Sequence, residues 1–238
     1  MADTPLKLFI ANKNYSSWSL RPWVLMRTLQ IPFDEQLVPF GEGSQAEVFG
    51  GFSPSGKVPC LVDGETVVWD SLAIIEYLAE AHPRAWPADR GARAWARSAA
   101  AEMHSGFFNV RNLCSMNCGV RVRIDPFPPA LRAEWQRLSA LWDDGLVRFG
   151  GPFLAGPQFT AVDAFFAPLA FRAQTYSPPL SARSNEYLAR LLALPAMRAW
   201  YAEALVEPWR HAGHEEEVHA AGTLLSDLRS PDANPGFV

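Results

Sequence analysis

Residues 53–83, SPSGKVPCLVDGETVVWDSLAIIEYLAEAHP, constrain the fold more than any other stretch of this chain. They read as a loop, a short strand, a tight turn, a returning strand and a helix. Cys60-Leu61-Val62 is an apolar run closed by Asp63-Gly64, a dipeptide suited to a two-residue hairpin loop. Thr66-Val67-Val68-Trp69, β-branched and aromatic, suits the returning strand. Ala73, Ile74, Tyr77 and Leu78 then recur at helical spacing, with Asp70 or Ser71 placed to cap that helix. Pro59 enters its strand with no N–H to donate, so it belongs at an edge, bulge or turn, and its peptide bond is open to the cis form. Val58 before it keeps both backbone groups available to an extended peptide. The amides at Ser71 offer the positive end of a helix dipole to a carboxylate. Together these features suit a small peptide with a free acid at one end.

VPCLVDG followed by DSLAIIEYL resembles the thioredoxin-like domain of glutathione transferases, with its cis-proline and its acid-Ser-x-Ala-Ile glutathione motif. Upstream, Leu6–Ile10 alternates toward one apolar face and predicts a first strand, and Asn12–Tyr15 is a polar loop. A helix is predicted over Arg21–Leu29, with Pro22 in its first turn. On residue types alone, Ser16, Ser17 and Ser19 are either helix caps or hydroxyls set among unpaired amides, where they can stabilise a thiolate brought by a ligand. SSWSLRPW is similar to the SSCSxR signature of the zeta class of that family. The zeta likeness implies Ser16 as the thiol-activating residue; other serine-type classes imply Ser17. Both are retained, with Ser16 first. Trp18 stands where the zeta class has cysteine, and its indole is expected beside the sulfur.

Asp34–Pro39 predicts a second strand, and Gln45–Phe49 one short helix within an otherwise irregular loop. By resemblance this region holds the glycine end of glutathione, with Lys57 or Gln45 facing its carboxylate, Val58 and Pro59 along the cysteinyl backbone, and Asp70 and Ser71 on the γ-glutamyl end. His82–Asp89 is a proline-rich break that marks a domain boundary. Residues 1–82 therefore form an α/β thioredoxin-like N-terminal domain with a four-stranded mixed sheet, and residues 90–238 an all-α C-terminal helical domain that binds the second substrate.

Within the second half, long helices are predicted over 90–114 and 130–149, with an irregular stretch from Asn117 to Pro129 between them. EMHSGFFNVRNLCSMN resembles the helix that runs beneath the ligand cleft in bacterial members, and makes His104 and Arg111 candidate substrate-binding residues, His104 as a supporting or interface group rather than a catalytic base. Thr160 and Asp163 form a capping box ahead of an apolar, buried helix. Zeta enzymes use an arginine at the position of Thr175 on the substrate's carboxylate; Arg172, three residues earlier, substitutes only if the helix end shifts. Shorter helices follow at 185–193 and 195–205. The polar tail with His211, His214 and Glu215–Glu217 reads as a solvated helix or frayed end.

Composition narrows the function classes. A net charge of −4 without a basic block gives nucleic-acid binding no electrostatic footing. MADTPLKLFIANKN lacks the pattern of a signal peptide, and no apolar run approaches the ~20 residues of a membrane span, so a cytoplasmic protein is expected. Cys60, Cys114 and Cys118, three in number, suit buried thiols rather than disulfides or a metal site. The resemblance implies a glutathione transferase in which a serine hydroxyl lowers the thiol pKa of glutathione, the co-substrate, for attack on a small electrophile. It also implies a homodimer. Alternatives are a zeta-like cis–trans isomerase of an unsaturated dicarboxylic acid and a non-catalytic glutathione-binding protein. A reductase wants a cysteine at 16 or 17, where serines stand.

Overall fold

In the computed structural model, residues 5–41 and 43–229 are described; the outer ends of both expected domains, residues 1–4 and 230–238, lie outside them. The N-terminal half is built on β1 (Leu6–Ile10), α1 (Ser17–Leu29), β2 (Phe33–Leu37), α2 (Gln45–Phe49), β3 (Cys60–Asp63), β4 (Thr66–Trp69) and α3 (Ser71–Ala81). The strands form one sheet in the order β2-β1-β3-β4. β1 runs parallel to β2 and antiparallel to β3, and β3 pairs antiparallel with β4. Asp63 pairs with Thr66, so the hairpin loop is Gly64-Glu65 rather than Asp63-Gly64. Glycine at the first loop position supplies the φ of 58° that such a turn requires.

α1 starts four residues earlier than its pattern predicts, because Ser16 caps it: the Ser16 hydroxyl accepts from the amide of Ser19. Pro22 consequently lies inside the helix rather than in its first turn. Leu20, Trp23, Val24, Leu25 and Met26 of α1 are all buried, facing the sheet on one side and the helical half on the other.

After a 3₁₀ turn at Pro83–Ala85, the second half comprises α4 (Arg90–Ser105), α5 (Phe108–Leu113), β5 (Val120–Arg123), α6 (Pro129–Arg148), α7 (Ala161–Tyr176), α8 (Ala182–Ala193), α9 (Pro195–Val206), α10 (Ala212–Ala221) and β6 (Thr223–Asp227). The helix expected to continue to residue 114 is broken at Gly106, where an added Cβ would lie 2.9 Å from the Glu102 carbonyl oxygen. Phe107 follows at φ 61°. The side chain of Arg111 closes the break by donating to the carbonyls of Met103, His104 and Gly106, the last at 2.8 Å. These are the carbonyls that a helix end leaves without partners.

α7 is the core of this half, buried along almost its whole length. Its first turn is fixed by Asp163, whose carboxylate accepts from the amides of Thr160 (2.9 Å) and Leu154 (3.0 Å) and from the Tyr187 hydroxyl (3.1 Å). Burial pushes the Asp163 carboxyl up to about 6.

The expected solvated helix is present as α10, whereas part of the stretch expected to be irregular is ordered: β5, within residues 117–129, pairs antiparallel with β6, which follows α10, as a small sheet attached to the helical domain. Glu215 of α10 accepts from Tyr15 (2.6 Å) and pairs with Arg229 (2.5 Å), which itself pairs with Asp227. The tail is thus drawn back onto the loop that precedes α1. The Tyr15–Glu215 contact joins groups two hundred residues apart in sequence, which no local pattern can reveal.

Candidate active site

The β1–α1 loop is held by the helical half before it reaches the two serines. Both oxygens of Glu207 accept backbone amides there, from Lys13 at 2.5 Å and Asn14 at 3.1 Å. The Lys13 ammonium, only 2% exposed, pairs with Glu35 at 2.5 Å and with Glu203, and lies 5.2 and 5.6 Å from the ring centres of Trp23 and Trp200. The Trp200 indole donates to the Lys13 carbonyl at 2.7 Å. A short loop fixed at so many points delivers Ser16 and Ser17 in one orientation to a cleft of about 620 Å³ between the two halves.

Most residues singled out in the sequence meet in this cleft: Ser16, Ser17, Trp18, Lys57, Val58, Pro59, Asp70, Ser71, Arg111 and Arg172 all line it, as does Gln45. The Val58–Pro59 bond is cis. Asp70 caps α3 by accepting from the Leu72 amide at 2.8 Å, with its own backbone at φ 74°, a region that non-glycine residues seldom occupy. Its other carboxylate oxygen stands 3.6 Å from His104 Nε2. Ser71, fully buried at the first position of α3, accepts at 3.4 Å from Arg21. Lys57 reaches the cleft from the loop before Pro59, its amide donating to Ser53 at 3.4 Å.

The two serines differ. The Ser16 hydroxyl donates to Ser19 Oγ at 2.7 Å and accepts from the Ser19 amide at 3.4 Å, so its hydrogen bonds serve the start of α1. The Ser17 oxygen instead accepts from the guanidinium of Arg172 at 3.3 Å, across the domain boundary. Arg172 is held in turn by the carbonyls of Arg111 (3.3 Å), Val110 (3.5 Å) and Cys114. Burial lowers its pKa to about 10, so it stays charged at neutral pH. No shift of the helix end is needed for Arg172 to reach the cleft, whereas Thr175 is spent on the Asn117 carbonyl at 2.8 Å.

Trp18 lies 4.1 Å from the Arg21 guanidinium and 4.7 Å from that of Arg111, measured to its ring centre, and both contacts are within cation–π range. Arg21 is itself 1% exposed, between Trp18 and Phe165, and burial drives its pKa down. His104 is not among the residues that line the cleft; it stands edge-on to Trp18 at 5.3 Å and beside Asp70, as a supporting group would. Burial pushes its pKa down.

Sequence reasoning missed several groups. Arg21 was read only as part of a motif, yet it braces Ser71. Tyr15, Phe40, Ser115, Met116, His214 and Glu217 line the cleft as well. His214 stacks on Tyr15 at 4.8 Å, and burial lowers its pKa to about 4, leaving a neutral imidazole at pH 7. His211 and Glu215–Glu217 marked the segment as polar, but only the packing of α10 brings part of it to the site. All three cysteines are free and buried, with Cys114 pushed up to about 12 by burial. Among the described residues no group of three metal-ligating side chains occurs, and no helix is long and apolar enough to cross a membrane.

A thioredoxin-like sheet joined to a helical domain, with a cleft at their junction beside a cis-proline, defines a class of two-domain proteins. Comparison with known proteins places the chain within that class. Family models described as the glutathione S-transferase N-terminal and C-terminal domains match residues 15–81 and 88–203, and the chain belongs to the glutathione S-transferase family. It is 31% identical over 157 residues to a zeta-class glutathione S-transferase of Euphorbia esula, covering 64% of this chain and 70% of that protein. It is 29% identical over 194 residues to a probable maleylacetoacetate isomerase of Vibrio cholerae, covering 76% and 89%. A glutathione transferase homolog from Burkholderia, solved with bound glutathione, has the same fold at a TM-score of 0.63 and 21% identity, covering 84% of this chain and 98% of that one. A diazinon-metabolizing glutathione S-transferase of the silkworm Bombyx mori reaches a TM-score of 0.67 at 17% identity, covering 91% and 100%.

Proposed function

We propose that this protein is a glutathione transferase that activates the glutathione thiol by a serine hydroxyl, with Ser17 rather than Ser16 as the donor. The observation that carries this reading is the division of labour between the serines. Ser16 gives its proton to Ser19, while Ser17 has its oxygen engaged by a cation and its proton left for a thiolate. Asp70 and Ser71 take the γ-glutamyl end, the Val58 backbone takes the cysteinyl residue, and Lys57 with Gln45 takes the glycine carboxylate. Residues 1–82 thus bind glutathione, and residues 90–238 supply the electrophile wall through Arg111, Ser115, Arg172 and Glu217. A homodimer in the cytoplasm belongs to the same reading, on family likeness.

A free thiol has a pKa near ~8.5, so little thiolate exists at neutral pH. A hydrogen bond to the charged sulfur, worth about 1.5–3 kcal/mol, lowers that value by roughly one to two units. The thiol proton passes to water, and the thiolate attacks the electrophile. A zeta-like isomerase of an unsaturated dicarboxylic acid is the second reading; it is favoured by the Vibrio cholerae relative and by two guanidinium groups at the electrophile wall.

Melting temperature with and without reduced glutathione tests the site. At about a hundred times Kd, binding adds roughly 2.7 kcal/mol, several degrees for a chain of this size. The shift is expected in the wild type and should shrink sharply in Ser71→Ala; its absence from the wild type at tens of millimolar glutathione would remove the transferase reading. Turnover of a haloaromatic electrophile against that of an unsaturated diacid then separates the two reactions.

A further inference from the structure

We infer that Arg172, contributed by the core helix of the second domain, is a positioning residue for the thiol-activating serine: its guanidinium fixes the Ser17 oxygen and turns the Ser17 proton toward the sulfur of bound glutathione. The inference rests on the transferase reading above and deepens it.

A serine hydroxyl has one proton and two lone pairs and rotates to suit its partners. Left alone beside a helix start, Ser17 is free to turn its proton toward nearby backbone carbonyls, as short hydroxyl side chains do. A guanidinium carries donors only. Its approach to Ser17 Oγ therefore occupies a lone pair and leaves the proton for another acceptor. The approach is well fixed. Arg172 is 7% exposed, and its other terminal nitrogen is committed to the carbonyls of Val110, Arg111 and Cys114, so the guanidinium has little freedom to swing away. The contact joins residues 155 positions apart, on opposite sides of the cleft. Ser16, one residue earlier at the same helix end, has no such partner; its hydroxyl is turned to Ser19.

The charge itself adds to the effect. The groups that act on Arg172 electrostatically are Cys114 and Tyr176, both neutral at pH 7, together with Arg111 and Glu217. A buried cation one hydrogen bond behind the serine polarises its O–H and favours a negative sulfur in front of it. The thioredoxin-like half alone therefore holds the serine but not its orientation, and the helical half completes the activating group.

The test is the pKa of the enzyme-bound glutathione thiol, read from thiolate ultraviolet absorbance against pH in the glutathione-saturated full-length protein. Ser17→Ala is expected to raise that pKa by about one to two units. Arg172→Met should raise it by a similar amount in the wild type, yet by no more than a few tenths in the Ser17→Ala background, since the two act as one unit. Arg172→Lys, which keeps the charge without the fork, should recover part of the shift. An equal effect of Arg172→Met in both backgrounds, or none in either, overturns the inference while leaving the transferase reading intact. No response to Ser17→Ala, with a rise in Ser16→Ala, removes Ser17 as the activator and the inference with it. Because Arg172 also holds three carbonyls, a second measurement avoids altering it. In Ser17→Cys, alkylation of the new thiol mapped by peptide mass should show a pKa well below ~8.5 and below that of the new thiol in Ser16→Cys, which shares the helix end but not the guanidinium. Equal values for the two thiols would overturn the inference.

Discussion

At the scale of single residues, two adjacent serines of the cleft have unlike partners. Ser16 is an N-cap, and Ser16→Ala should cost about 1 kcal/mol of stability, moving the melting temperature more than the bound-thiol pKa. Ser17→Ala should raise the thiol pKa, and because it leaves a donor of the buried Arg172 guanidinium without its partner it should also cost about 1–3 kcal/mol of stability. Thermal melts paired with thiol titrations of both variants check this, and a bound-thiol pKa that rises in Ser16→Ala but not in Ser17→Ala would count against the assignment. Trp18 shows how a substitution within a motif reshapes a site. The sequence alone says that an indole replaces a thiol. The structure shows that this indole lies against two arginines and His104, so it organises charge at the cleft wall as well as filling space.

Among the elements, α6 carries a glycine whose role is set by its neighbours. Gly145 is buried in mid-helix, where alanine ordinarily adds about 1 kcal/mol of stability. Here an added Cβ would stand 2.4 Å from Cη2 of Trp95 and 2.7 Å from the Leu154 carbonyl oxygen. Gly145→Ala should therefore destabilise by about 1–3 kcal/mol, because the ring and the backbone it meets must both move. Denaturant midpoints measure it, and a stabilised variant would show that α6 and α4 can separate freely. The break between α4 and α5 follows the same logic: Gly106 permits it, and Arg111 satisfies the carbonyls it exposes.

For the whole molecule, Glu207 links the two halves. Its carboxylate is buried, and that burial raises its pKa to about 7 from an ordinary value near 4.5. A carboxyl whose folded pKa is raised contributes stability at low pH that is lost as pH rises through about 7. His214, lowered to about 4, acts with the opposite sign over an overlapping range and Asp163, raised to about 6, with the same sign, so the total profile mixes all three. The difference between wild type and Glu207→Gln isolates the carboxyl. That difference should move in favour of the wild type as pH falls from about 8 to 5, by on the order of 2–3 kcal/mol, measured by urea melts at each pH. A difference independent of pH would mean that Glu207 titrates normally.

The order β1-α1-β2, the β3–β4 hairpin, the cap of α3 and the buried α7 are local matters. They follow from periodicity, turn residues and caps within a dozen positions, and were legible in the sequence, as were most of the side chains that line the cleft. The position of the hairpin loop and the start of α1 shifted by a few residues because cap and register geometry, rather than hydrophobic spacing, decides where an element ends. A helix pattern gives the face on which His104 lies but not that Trp18 stands edge-on against it. The return of the tail, the bracing of Ser71 by Arg21 and the contact of Arg172 with Ser17 were not legible at all. Each depends on a hydrogen bond between groups far apart in the chain, and such a bond has no period in sequence. It exists only once the packed core has brought its donor and acceptor within about 3 Å of each other.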